Sequence, residues 1–196
     1  MPEIHHLVLG SYRTNCYIIH AAGGSRCLVI DPGYEPDTVF AMAHSLGLTI
    51  EAILLTHGHF DHVGGVKALA EKVGCPVYLH PEDLKLPFPL TLPVGHTQDV
   101  QDGDTLSLAG LSVLVLHTPG HTHGSVCYLA DDAMFSGDTL FAHSCGRTDL
   151  PGSSHREMVS SLARLAALEE DYAVYPGHGS LTRLSIEKET NPYLEG

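Results

Sequence analysis

Tryptophan is absent from the 196 residues, and Lys and Arg together number only 10 against 23 Asp and Glu, for a formal net charge of −13. So few cations cannot line a phosphate backbone, which excludes a nucleic-acid partner. No apolar run approaches the roughly 20 residues needed to cross a bilayer, and no basic N-terminus precedes an apolar segment, so neither a membrane span nor a secretory leader is expected. The five cysteines, Cys16, Cys27, Cys75, Cys127 and Cys145, are odd in number and include no CxxC pair. They offer neither a disulfide framework nor a structural zinc site, and reduced thiols in the cytoplasm are the expectation. Four of them, Cys16, Cys27, Cys75 and Cys127, lie in or beside apolar runs and read as small buried hydrophobes. With 43% hydrophobic residues the chain can build one sizeable core, so residues 1–196 are read as a single domain.

What the chain has in excess is histidine, 15 in all. Three of them sit with an aspartate in "ILLTHGHFDHVGG": His57, His59, Asp61 and His62.

Around that cluster the elements alternate. "IHHLVL", "NCYIIH" and "RCLVID" read as an antiparallel meander, and Pro36 to Leu46 as a helix closed by Gly47. The strand "EAILL" precedes the cluster, a helix from about Gly65 to Val73 follows it, and "PVYLH" is the next strand. The proline-rich "HPEDLKLPFPLTLPVG" cannot sustain a regular helix or a central strand and is read as a long connector. Beyond it lie two hairpins, "DTLSLAGLSVLVLHTPG" and "SVCYLADDAMFSGD", the second turning at Asp131 and Asp132. A helix over Ser154 to Glu169 opens with a capping box, Ser154 and Glu157, and "YAVYPGHG" is the last strand. Two strand-rich halves, each with helices, predict two sheets face to face with helices outside: an α/β, four-layer αββα sandwich.

Three further polar residues share the cluster's context, each just past a strand and beside glycine: His121, Asp138 and His178. Imidazole and carboxylate in this proportion suit a borderline cation such as zinc, iron or manganese, whereas calcium or magnesium would want mostly oxygen. If "HGHFDH" stays extended, residues 57, 59 and 61 project together while Asp61 and His62 part to two sides, so one loop could feed two ion sites. His117 and His143 flank ligand segments and are expected to hydrogen-bond a ligand carboxylate from behind. His5, His6, His20, His44, His80, His96 and His155 read as surface or supporting residues, and Tyr172 and Tyr175 as packing.

"THGHFDH", "PGHTHG", "SGDTLF" and "YPGHG", in this order along nearly the whole chain, resemble the motifs of the metallo-β-lactamase superfamily. The resemblance implies the αββα fold with a site at one edge. It assigns His57, His59 and His121 to one metal ion and Asp61, His62 and His178 to a second, with Asp138 bridging. The cofactor is then two divalent transition-metal ions, zinc first, with iron or manganese as alternatives. "TNCYII", "DPG", "THGHFDHVGG", "GRTDLPG" and "EKETNPYL" are similar to the glyoxalase II-like (hydroxyacylglutathione hydrolase) branch, short bacterial type. That branch implies hydrolysis of a small-molecule thioester, S-D-lactoylglutathione or a related acyl thioester, by a metal-activated hydroxide, with Asp61 and Asp138 catalytic. Longer members carry a helical domain whose basic residues grip glutathione, and the sequence here runs only a little past "PGHGSL". Arg147 is then the candidate anchor, with a surface pair to Asp149 as its alternative role. Cys145 and His143, in the same segment, complete the candidate substrate contacts. "SCGRTDL" is also similar to a segment of persulfide dioxygenases, which use one Fe(II) on the same fold. A non-enzymatic metal-binding module is the third reading.

Overall fold

The computed structural model describes residues 1–194. Three strands open the chain, β1 (Pro2–Leu9), β2 (Thr14–Ala21) and β3 (Arg26–Ile30), followed by α1 (Pro36–Ser45) and β4 (Thr49–Leu54). Next come α2 (Phe60–Val63), α3 (Val66–Val73) and β5 (Val77–Leu79), a 3₁₀ turn over Pro81–Lys85, and β6 (Thr97–Asp99). The second half runs β7 (Thr105–Leu108), β8 (Leu111–His117), β9 (Val126–Ala130), β10 (Ala133–Gly137), β11 (Leu140–Phe141), β12 (Ser144–Cys145), α4 (His155–Ala166), β13 (Ala173–Pro176), β14 (Thr182–Arg183) and α5 (Leu184–Thr190).

One sheet has the order β1-β2-β3-β4-β5-β6 and the other β14-β13-β10-β9-β8-β7. The predicted meander is present: β1 to β3 pair antiparallel, and β4 and β5 then add in parallel across α1 and across α2 and α3, with β6 following in parallel after the 3₁₀ turn and the proline-rich connector. The four layers follow from how each strand divides its side chains. Along β2, Tyr17 and Ile19 enter the core between the sheets, where they meet Tyr128 and Phe135, while Cys16 and Ile18 face α1 and α3. In β9, Val126 and Tyr128 point inward and Cys127 and Leu129 pack under α4. With both faces covered, these strands read as unbroken apolar runs, and the fold is the expected αββα sandwich.

Several local expectations need correction. "HFDHV" is not extended: Val63 N–H donates to the His59 carbonyl and Gly64 N–H to that of Phe60, so Asp61 and His62 ride on one helical turn. The capping box is half used. Ser154 Oγ accepts from Glu157 N–H at 3.2 Å, but Ser154 N–H goes to the Gly120 carbonyl and the Glu157 carboxylate to His123. After the last predicted strand the chain adds β14 and α5, too short for a periodicity to announce them. Cys16, Cys27 and Cys127 are buried as expected, whereas Cys75 is half-buried.

Candidate metal centre

All seven ligand candidates stand at one end of the sandwich, each just beyond a strand. The chain leaving β4 carries His57, His59, Asp61 and His62, and the ends of β8, β10 and β13 supply His121, Asp138 and His178. Two buried tyrosines hold those ends across the two sheets. Tyr128 of β9 donates to the Leu55 carbonyl at 3.0 Å, and Tyr17 of β2 to the Pro176 carbonyl at 2.7 Å. Asn15 adds bonds to the carbonyls of Pro176 and Gly179.

Donor atoms gather in two trios, His57 with His59 and His121, and Asp61 with His62 and His178, each within 4.8 Å. Asp138 stands between them, its Oδ1 3.4 Å from His62 Nε2 and its Oδ2 3.4 Å from His121 Nε2. Gly177 leaves room for this. A methyl there would lie 2.3 Å from Asp138 Oδ1 and 2.7 Å from the His62 ring.

The ring orientations are held from behind. His62 Nδ1–H donates to Asp31 Oδ2 at 2.8 Å and His121 Nδ1–H to the Arg147 carbonyl at 2.9 Å, so each turns its Nε2 lone pair into the site. Asp31 joins His57 and His62 in a further trio, but its oxygens already accept from Thr56 N–H at 2.8 Å, Thr56 O–H at 2.5 Å and His62, which makes it a support. Another support was not foreseen. Buried Asp83, in the proline-rich connector, accepts from Gly58 N–H at 2.7 Å, Gly124 N–H at 2.7 Å and Thr122 O–H at 2.9 Å. It thereby ties the loop of His57 and His59 to the loop of His121.

Electrostatics acts in opposite directions on His57 and His59 and on His62. Burial, then the neighbouring imidazoles, holds His57 well below its ordinary value and pushes His59 down to about 4. Burial alone would raise Asp138, but His62, His121 and His178 outweigh it and hold the carboxyl far down. Burial opposes charge on His62 too, yet Asp138 and Asp31 raise it.

A cation fits here. Among the described residues His57 Nε2 and Asp138 Oδ1 are buried without a hydrogen-bond partner, a cost that native interiors seldom carry unexplained, and His59 Nδ1 faces His121 Nε2 at 2.8 Å. The N/O donor set is that of zinc, iron or manganese. A cavity of about 330 Å³, walled by Tyr12, Phe60, Leu90 and Leu150, opens onto His59, Asp61, His121, Asp138 and His178.

The substrate candidates part company. Arg147 lines this cavity, but its guanidinium is exposed and bound in a two-pronged pair to Asp149 at 2.7 and 2.8 Å. His143 bonds Thr190 and lines a second cavity beside His178. Cys145 lines neither; it packs against the apolar cluster under α4, where burial raises its thiol pKa. The support expected of His117 and His143 is not there either. His117 Nε2 bonds the His123 carbonyl at 2.8 Å, and its ring stacks on His80. Glu3, His5 and His20 form a separate trio on the edge pair β1 and β2.

A paired donor site at the edge of an αββα sandwich defines an α/β protein with a candidate metal centre. The sequence profile of the metallo-beta-lactamase superfamily matches residues 9–178, and the chain belongs to that family. It is 38% identical to an uncharacterised protein of Mycobacterium leprae over 95% of this chain and 96% of the other. It is 42% identical to the hydroxyacylglutathione hydrolase of Aeromonas hydrophila, spanning 79% of this chain but only 57% of that enzyme. Among solved structures, BLEG-1, a B3 metallo-beta-lactamase, superposes with a TM-score of 0.90 at 32% identity, covering 99% and 100% of the two chains. TTHA1623 in a di-iron-bound form gives 0.86 at 40%, over 97% and 100%. ETHE1 from Myxococcus xanthus gives 0.83 at 30%, over 97% and 83%. Among the described residues no helix is long and apolar enough to cross a membrane.

Proposed function

We propose that this chain is a cytoplasmic metal-dependent thioester hydrolase of the glyoxalase II type, acting on S-D-lactoylglutathione or a related acyl thioester. The observation that carries the reading is the pair of donor trios sharing Asp138 at the floor of an open cavity. His57, His59 and His121 would hold one ion, Asp61, His62 and His178 the second, and Asp138 would touch both. Divalent ions there would supply Lewis acidity toward the thioester carbonyl and would bring the pKa of water from 15.7 to about 7.

The protein's own groups do the rest. Asp61 stays ionised, because its bond to His178 and the nearby His62 outweigh the burial that would raise it, and its Oδ2 is 3.2 Å from His178 Nε2. As a donor of the second trio that also lines the cavity, this carboxylate is placed to orient an attacking water by accepting its hydrogen bond. Asp31 and the Arg147 carbonyl keep two imidazoles from turning. Water gives its oxygen to the acyl carbon as the C–S bond breaks. The sulfur leaves as thiolate without a strong acid, since thiol pKa values lie near 8.5.

Protein reconstituted with zinc, iron or manganese should hydrolyse S-D-lactoylglutathione without consuming oxygen. The second reading, an Fe(II) persulfide dioxygenase, rests on the "SCGRTDL" segment. If the thioester is untouched by every metal form while the iron form consumes oxygen with glutathione persulfide, that reading replaces the first. A β-lactam should be offered alongside, given the likeness to BLEG-1.

A further inference from the structure

Beside the metal centre lies a second and larger cavity, about 880 Å³, that no step above uses. The two share a wall, His178, and the edge of the Phe141 ring meets the His178 ring at 6.3 Å between centroids. Beyond Phe141 the lining combines the apolar Ala142, Leu181 and Ile186, the last two left 47% and 45% exposed, with the polar His143, Ser180, Thr182 and Arg183. Large aliphatic side chains left facing a concave surface mark a place where something apolar is bound.

The charges around the two cavities argue the same way. Two guanidinium groups line them, and each already holds a carboxylate. Arg147 pairs with Asp149, and Arg183 pairs with Asp171 at 2.8 and 2.9 Å. A substrate tail bearing several carboxylates would have to break those pairs inside a chain of net charge −13. A neutral aliphatic tail would meet no such obstacle, and covering Leu181 and Ile186 is favourable in itself.

We propose that this cavity is the specificity pocket of the enzyme and takes a neutral aliphatic chain of the substrate. Resting on the thioester reading above, the inference narrows the substrate class to thioesters with an apolar chain, in preference to the polyanionic thioester of glutathione. Because His178 lines both cavities, a substrate whose reacting carbon lies among the donor trios can extend a substituent past it, and we take the occupant to be that substituent. Acyl and thiol sides present the same chemistry to the pocket, and two substrate series separate them.

In the first series, N-acetylcysteamine thioesters of propionic, hexanoic and decanoic acid lengthen the acyl side. In the second, acetyl thioesters of ethanethiol, hexanethiol and decanethiol lengthen the thiol side. With the metal-loaded protein, one series should gain about two- to fourfold in kcat/KM per added methylene until the pocket is filled. Its best member should exceed S-D-lactoylglutathione. Leu181→Asp and Ile186→Asp should flatten that slope, and Ile186→Leu should keep it. The slope is a ratio within one preparation, so a variant that folds in part still reports. Hydrolysis with both series flat, or with S-D-lactoylglutathione the best substrate, overturns the pocket assignment and leaves the hydrolase standing. No hydrolysis of any thioester overturns the hydrolase reading and this inference with it.

Discussion

Asp83 is the residue through which the two histidine loops hold each other. Its carboxylate is buried and accepts three hydrogen bonds, from Gly58, Gly124 and Thr122. Asp83→Ala would strand three donors away from water, each at a cost of about 1 to 3 kcal/mol. The variant should lose roughly 3 to 5 kcal/mol in urea unfolding of the metal-free protein and load less metal at the first trio. Asp83→Asn keeps one acceptor oxygen and should lose less; equal stability of Asp83→Ala and the parent protein would show the tie to be idle. Asp31 works differently, through a proton. It accepts from His62 Nδ1, which leaves Nε2 bare toward the second trio. Asp31→Asn can turn an amide N–H toward Nδ1, which puts the imidazole proton on Nε2. Metal affinity of the second trio should then fall about ten- to a hundredfold, read by competition with a chromophoric chelator, while the first trio keeps its ion.

At the scale of elements, the contrast lies between long periodic segments and short ones. Helices α1, α3 and α4 and the strands that surround the core carry repeating apolar patterns, which makes them legible in the residues alone. That the seven candidate ligands would gather was legible for a related reason: four of them fall within residues 57–62, and the other three repeat one context. What escaped has no local signature. Asp83 is one acid among prolines, and only the meeting of three chain segments gives it work. The turn of α2 is four residues long, and α5 seven. Yet α5 governs a wall of the apolar pocket. Glu187, fully buried, accepts from His143 N–H at 2.8 Å, and Asn191 donates to the carbonyls of Ser144 and Phe141 at 3.0 and 3.3 Å. These bonds fix the β11–β12 turn on which Phe141 and His143 sit. Asn191→Ala should therefore raise KM several-fold for the preferred thioester and cost about 1 to 3 kcal/mol of stability, with the metal content of the parent protein unchanged. A loss of metal would mean that the turn supports the centre itself, against the separation argued here.

At the scale of the molecule, the centre is a clasp. His57, His59, Asp61 and His62 hang from the sheet containing β4, and His121, Asp138 and His178 from the sheet containing β10, so each trio and its shared aspartate draw on both halves. Ions that bind this arrangement and not the unfolded chain stabilise the folded state, by about 2.7 kcal/mol per site when free metal is a hundred times the dissociation constant. For a chain of this length 1 kcal/mol moves the melting temperature by roughly 2 to 4 °C, so one ion is worth about 5 to 11 °C. The local cluster sets a discount. Because residues 57–62 keep three imidazoles and a carboxylate together even when the chain is unfolded, they retain some metal, and the shift should fall toward the lower end. Replacing His121 with Ala removes a ligand that only folding brings to the cluster. His121→Ala should therefore lose most of the first trio's contribution to the metal-induced rise, while the metal-free melting temperature changes little. Thermal melts of the parent protein and the variant, each with zinc and with excess chelator, measure this directly. Equal rises in the two proteins would show that the clasp does not close across the sheets.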